Sequence, residues 1–252
     1  STVTLGTGGD DTMVGTANAD QLVGGVGNDT LTGNHANDVL NGGSGDDIFS
    51  MGTLLSSADT LNGGDGEDVL EIQGAIASDL DNVRNIETIV LANEIVTLIT
   101  QNSLVASGSD LLIDGQILTA DNAFSLNAVA ETDGNFLVFS GAGDDTVIAG
   151  KGADSFFLGD GDDTIDMGGN LTIADSIDMG SGFDTLSISG ADNNNLDNVS
   201  NIELLVLQNA VTNIITLDSL VGEGETLIVD GSKLTADEAL IFEGSAETDG
   251  DF

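Results

Sequence analysis

Residues 24–50 read GGVGNDTLT, GNHANDVLN and GGSGDDIFS, three nonapeptides in direct succession, each a small-residue run closed by Asp and a short apolar stretch. Asp29, Asp38 and Asp47 stand nine residues apart, and each lies two positions before an apolar residue: Leu31, Leu40 and Phe49. The register extends back through GTGGDDTMV (6–14) and GTANADQLV (15–23), which carry Asp11 and Asp20. Forward, a 12-residue unit, MGTLLSSADTLN (51–62), carries Asp59 and leads into GGDGEDVLE (63–71) with Asp68. The pattern returns as SGAGDDTVI (140–148), AGKGADSFF (149–157), LGDGDDTID (158–166), MGGNLTIADSID (167–178) and MGSGFDTLS (179–187), with Asp145, Asp154, Asp163, Asp175 and Asp184.

A longer period contains the short one. Asp47 to Asp163, Asp59 to Asp175 and Asp68 to Asp184 are each 116 residues apart. The segments between the nonapeptide blocks repeat at the same distance: DNVRNIE (81–87) with DNVSNIE (197–203), LTADNA (118–123) with LTADEA (234–239), and AETDGNF (130–136) with AETDGDF (246–252). The expected organisation is a block over 1–71, an apolar spacer over 72–139, a second block over 140–187 and a second spacer over 188–252. The opening STVTLG has neither Met nor a leader, so the sequence is expected to be a processed product or a piece of a longer tandem array.

Each nonapeptide is a turn of about six residues followed by a short strand. Glycine admits the backbone conformations the turn needs. A short strand points one apolar side chain inward and its neighbours outward. Two units make a coil of about 18 residues, and coils stack at ~4.8 Å, the spacing of hydrogen-bonded strands. Stacking places Asp over Asp, which is repulsive unless a cation lies between them. Calcium suits such a place, because it takes six to eight oxygens from carboxylates and backbone carbonyls.

The pattern G-G-x-G-x-D-x-U-x, met at every defined position by GGVGNDTLT and GGDGEDVLE, resembles the RTX, or hemolysin-type calcium-binding, nonapeptide. The resemblance implies an all-β fold, a right-handed parallel β-roll or β-solenoid in two tandem repeats, with calcium along each edge. It implies that each Asp bridges an ion with turn carbonyls of its own unit and of the unit two further on, so that Asp11 pairs with Asp29 and Asp20 with Asp38. The implied metal residues are Asp11, Asp20, Asp29, Asp38, Asp47, Asp59, Asp68, Asp145, Asp154, Asp163, Asp175 and Asp184. With them go the turn positions Gly9, Gly24, Gly27, Gly42, Gly45, Gly63, Gly66, Gly143, Gly152, Gly161 and Gly182. About eight calcium ions follow, the cofactor of the fold. GTANADQLV and GNHANDVLN lack turn glycines and are expected to bind less tightly or to form a different loop. The long units of Asp59 and Asp175 are weaker candidates for the same reason.

Composition narrows the function. Among 252 residues there are 33 Asp and 11 Glu against three cations, Arg84, Lys151 and Lys233, a net charge of −41. There is no basic surface for nucleic acid or for anionic lipid, and no apolar run long enough to insert into a membrane as a helix. Cysteine is absent and His35 is the only histidine, so thiol chemistry, zinc sites and Ser-His-Asp triads have no basis. The pairs Asp46–Asp47, Asp144–Asp145 and Asp162–Asp163 are positions five and six of successive turns, and GGVGND is followed by no phosphate-binding Lys. A 40% apolar content permits a core once the charge is neutralised.

The spacers, with NIETIVLA, DLLIDG and NFLVFSG, read as β strands that continue the solenoid on apolar burial. SDLDNVRNIE and LTADNA are each expected to hold a helical turn. At ~20 residues per coil, about 12 coils are expected. The function expected is a non-catalytic, calcium-binding structural segment of a large secreted bacterial surface protein: a filament, S-layer or adhesin shaft, associating end to end with further copies. The resemblance also implies export by type I secretion. The alternative is the calcium-dependent secretion and folding module of an RTX toxin or hydrolase.

Overall fold

The structure, a computed structural model, describes residues 3–74, 80–190, 196–208, 213–222, 224–235, 240–246, 248, 250 and 252. Asp192 and parts of SDLDNVRNIE, LTADEA and AETDGDF lie outside the described residues. The described residues form strands and turns only, and every strand pairing is parallel. The chain winds as a β-solenoid. It alternates between a ten-stranded sheet, running from Thr12–Val14 to Val199–Ser200, and the sheets opposite it. Those are a five-stranded sheet from Val3–Leu5 to Val83–Arg84, then a seven-stranded sheet from Val96–Ile99 to Ile228–Asp230. Asn213–Ile215 and Ile241–Glu243 form a separate pair.

In the blocks the coil is set by the nonapeptide. Thr12 pairs with Thr30 and Gln21 with Val39, each 18 residues on; where a 12-residue unit intervenes, Val39 pairs with Thr60, 21 on. Spacer coils are longer, as in Asp110 with Asn135 and Val96 with Phe124. The ten strands of the longest sheet make about ten turns, and the strands after it, Leu204–Leu207 to Ile241–Glu243, carry the winding further.

The core explains why blocks and spacers differ in composition. A block strand such as Thr30–Thr32 buries one side chain, Leu31. A spacer strand such as Thr88–Leu91 buries two, Ile89 and Leu91. The buried apolar residues form one continuous cluster from Met13 to Leu227, widened in places by Phe49, Phe124, Phe136 and Phe156. Among the described residues the expected helical turns are absent. Val83–Arg84 pairs with Leu61–Asn62, and single bonds from Val83 N to Leu80 O and from Asn122 N to Thr119 O close simple turns. Strand pairing with the adjacent coil satisfies the backbone there and overrides local preference.

The 116-residue repeat is visible in detail. Asn85 and Asn201 share a left-handed backbone (φ 52° and 58°), and Asn82 Nδ2 and Asn198 Nδ2 donate to the equivalent carbonyls of Ser57 and Ile173. Counterpart strands nevertheless lie in different sheets. Ile48–Gly52 belongs to the ten-stranded sheet, whereas Thr164–Gly168 belongs to the seven-stranded one, eleven strands later.

Phe156→Ala should cost about 3–5 kcal/mol in urea melts at saturating calcium, because the ring is fully buried and its removal leaves a cavity in the core. Ile117→Ala, at an exposed position, should stay within about 0.5 kcal/mol of the parent. Similar losses for the two would mean that the core does not run through the coils as described.

Candidate metal centre

Along each edge the Asp carboxylates form a ladder. Asp29 Oδ1 accepts from Asp11 N, Asp47 Oδ1 from Asp29 N and Asp68 Oδ1 from Asp47 N, each at 2.8 Å. The opposite edge has Asp38 Oδ1 on Asp20 N and Asp59 Oδ1 on Asp38 N, also at 2.8 Å. In the second block Asp163 accepts from Asp145 N, Asp184 from Asp163 N and Asp175 from Asp154 N. Its first rungs rest on the spacer, with Asp145 on Phe124 N and Asp154 on Phe136 N. Units two apart therefore stack, Asp11 against Asp29 and Asp20 against Asp38.

Two glutamates continue the ladder where the motif ends. Asp68 N donates to Glu87 Oε2 at 2.8 Å, and Asp184 N to Glu203 Oε2 at 2.7 Å. The sequence reading missed both. The available signal was the identical NIE in both copies, with its Glu 19 residues after the last nonapeptide Asp.

The second carboxylate oxygen separates the twelve Asp residues into two groups. Asp29, Asp38, Asp47, Asp68, Asp145, Asp154, Asp163 and Asp184 each have a buried Oδ2 with no hydrogen-bond partner. The others are capped from within their own turn. Asp11 Oδ2 accepts from the N–H and hydroxyl of Thr7, and Asp20 Oδ2 from those of Thr16. Asp59 and Asp175 accept likewise from Ser56 and Thr172. A hydroxyl residue early in the turn supplies both donors, an arrangement familiar from Ser and Thr turn motifs.

Around the uncapped oxygens the glycines leave room that a side chain would fill. A Cβ on Gly24 would press on Asp29 Oδ2 and stand 2.6 Å from Gly42 O. One on Gly42 would press on Asp47 Oδ2 and stand 2.7 Å from Gly63 O, and one on Gly63 would meet Asp68 Oδ2 and Asn85 O. Gly27, Gly45, Gly66, Gly152, Gly161 and Gly182 all have positive φ, each seated against the coil before it. Gly143 lies against Asn122 O, and Gly9 has open space around it. GNHANDVLN keeps the same turn without glycine: Asn34 and Ala36 take φ of 73° and 81° where Gly25 and Gly27 are also positive. That left-handed backbone costs about 1–2 kcal/mol per non-glycine residue, which the stacked coils enforce.

Burial acts on these acids. It raises Asp68, Asp145, Asp154 and Asp184 to about 6 and Asp163 to about 7; the nearby Ser140 hydroxyl at Asp145 and backbone N–H bonds at all five oppose the rise, and neighbouring carboxylates add to it. Asp38 and Asp47 are raised for the same reason. Among the described residues, no three acidic side chains or histidines converge on one point. A cation here would take one or two carboxylate oxygens and complete its shell with backbone carbonyls. That all-oxygen donor set fits calcium and offers nothing to a soft metal.

These features define a parallel β-solenoid with carboxylate ladders on its edges. The family model for the RTX calcium-binding nonapeptide repeat (4 copies) matches residues 5–34, 14–49, 55–71 and 138–169. The chain carries RTX repeats, and such repeats bind calcium. No curated protein matches the chain in sequence. Of the residues singled out, Asp175, Asp184 and Gly182 lie outside the matched stretches.

The raised acids set the sign of the pH response. Their folded values, about 6 to 7, exceed the usual 3.8. They therefore favour the calcium-free fold at low pH, and that contribution is lost as pH rises through 6 to 7. In chelator, far-UV circular dichroism should show β structure increasing from pH 8 to pH 5, less steeply in Asp163→Asn. A flat profile would contradict the burial of these groups.

Proposed function

We propose that the chain is a calcium-folded structural segment of a large secreted bacterial surface protein, a shaft of the filament, S-layer or adhesin kind, with no catalytic role. The observation that carries it is the set of eight buried, unpartnered Asp oxygens on a solenoid of net charge −41. Unpaired buried charge opposes folding, and calcium between the coils converts the same charge into cross-links. Folding and metal binding are then one equilibrium. The chain stays open where calcium is scarce and closes outside the cell, where it is plentiful. RTX repeats are typical of secreted proteins, and no helix among the described residues is long and apolar enough to cross a membrane.

Eight ions, one for each uncapped Asp, is the stoichiometry this reading assigns. Asp11, Asp20, Asp59 and Asp175 serve as turn caps. A groove of about 520 Å³ beside Met51 and Ile72 has Glu71 as its one ionisable side chain, which supports a structural reading over acid–base chemistry.

Among the described residues, the end strands Val3–Leu5, Ile228–Asp230 and Ile241–Glu243 each pair along one edge. Val3–Leu5 is exposed throughout, and Ile228 and Ile241 are exposed at the far end. VTLGTGGDDTMV (3–14) is in phase with LVFSGAGDDTVI (137–148). The segment 137–148 stacks on Asp110–Asp114 and Phe124–Asn127, whose counterparts 116 residues on are Ile228–Asp230 and Ile241–Glu243. Further copies of the repeat would add in that register.

Two measurements test this reading. Asp47→Asn should raise the calcium midpoint of folding, followed by circular dichroism, by about tenfold, whereas Asp11→Asn should move it less than threefold. Equal midpoints would remove the ligand assignment. Sedimentation velocity in chelator and then in millimolar calcium should show an expanded chain becoming compact and then growing into polymers. Compaction that stops at the monomer would favour a folding module or an adhesin shaft over a filament or layer.

A further inference from the structure

Glu131 lies outside every nonapeptide, in the segment that leads from the first spacer into the second block. It is 1% exposed. Its Oε1 accepts from the backbone N–H groups of Thr132, Asp133 and Gly134 at 2.9, 3.3 and 3.2 Å. Its Oε2 is buried with no partner. Asp154, on the next coil, is in the same condition: Phe136 N holds Oδ1 at 2.9 Å, and Oδ2 is buried and unpartnered.

The two carboxyl groups stand on stacked glycines. Glu131 Cδ is 3.3 Å from the point where a Cβ on Gly134 would sit, and Asp154 Oδ1 is 3.1 Å from the same point on Gly152. Gly152 itself rests on the carbonyl of Gly134. Backbone oxygens face the same turn: Ala128 O and Glu131 O lie 2.5 and 2.9 Å from the Cβ position of Gly150. As in the units of Asp145, Asp163 and Asp184, the place held by Gly24, Gly42 and Gly63 has no glycine here, and Ala149 occupies it. The main-chain N–H of Lys151 donates to the main-chain carbonyl of Glu131. Two buried like charges on adjacent coils are costly without a counter-ion.

We propose that Glu131 and Asp154 together hold one calcium ion at the joint between the first spacer and the second block, a two-carboxylate site that the nonapeptide motif does not encode. The inference rests on the reading that the Asp ladders take calcium. Both free oxygens belong to one ion, with turn carbonyls completing the shell. The ion ties the last spacer coil to the first block coil, so the spacer orders together with the block.

Calcium stoichiometry by equilibrium dialysis on the full chain tests this, with the folding midpoint read by circular dichroism. Glu131→Gln keeps the acceptor that Oε1 provides and removes the charge. It should bind about one ion fewer than the parent, as should Asp154→Asn, and the double variant should lose no more than either single one. Asp163→Asn, in the regular row, is the control. If Glu131→Gln keeps the parent's count and midpoint while Asp163→Asn loses an ion, the joint site is overturned and the row reading stands. If neither loses an ion, the row reading falls and the joint site with it. A Glu131→Gln chain unfolded at every calcium concentration also overturns the proposal, since Glu131 would then hold the fold itself and not one ion among several.

Discussion

The structure depends on a single conflict, that of like charges stacked at strand spacing. Parallel coils with a common period must place each residue over its counterpart, and here the counterpart of Asp is Asp. From Asp29 onward, one oxygen of each nonapeptide carboxylate is absorbed by a backbone N–H of the coil before, which fixes the vertical register. The other oxygen has no such outlet in eight of the twelve units. The glycine turns, the short strands and the single inward side chain per unit all accommodate that row of oxygens. Where the row stops, the coil lengthens, glycine thins out and strands such as Thr88–Leu91 bury two apolar side chains.

The two modes of stabilisation share one core but respond differently to conditions. Spacer coils draw on apolar area, which calcium does not alter directly. Block coils draw on little apolar area and are governed by the charge balance of their edges. Glu87 and Glu203 stand at the exits of the two blocks and extend the ladder by one rung into spacer sequence. The boundary read from composition is therefore crossed by the hydrogen bonding.

Much of this was legible in the residues. The nine-residue spacing of Asp29, Asp38 and Asp47 fixed the coil, and the residues two positions on, Leu31, Leu40 and Phe49, are core residues. Other features depend on neighbours that one strand's sequence does not display. Thr7 and Thr16 cap their own Asp, a distinction within the motif's variable positions that periodicity does not register. GNHANDVLN lost its glycines but kept its turn, because the coils on either side impose the backbone. DNVRNIE carries a local helical signal, yet Val83 pairs with Leu61 and the segment is drawn into the sheet. Glu131 stood in a motif repeated at 116 residues, but only the stacking of Gly134 under Gly152 reveals what lies next to it.

The odd strand count of the repeat has a consequence for symmetry. Eleven strands make five and a half coils, so each 116-residue copy starts on the face opposite to that of the copy before it. The long Asp row of the first block precedes strands of the ten-stranded sheet, and its counterpart in the second block precedes strands of the sheet across from it. Successive copies are thus related by a half-turn about the solenoid axis as well as a translation, an approximate two-fold screw. A rod continued by this rule has two equivalent sides, and a lateral neighbour on one side meets every second copy in the same orientation.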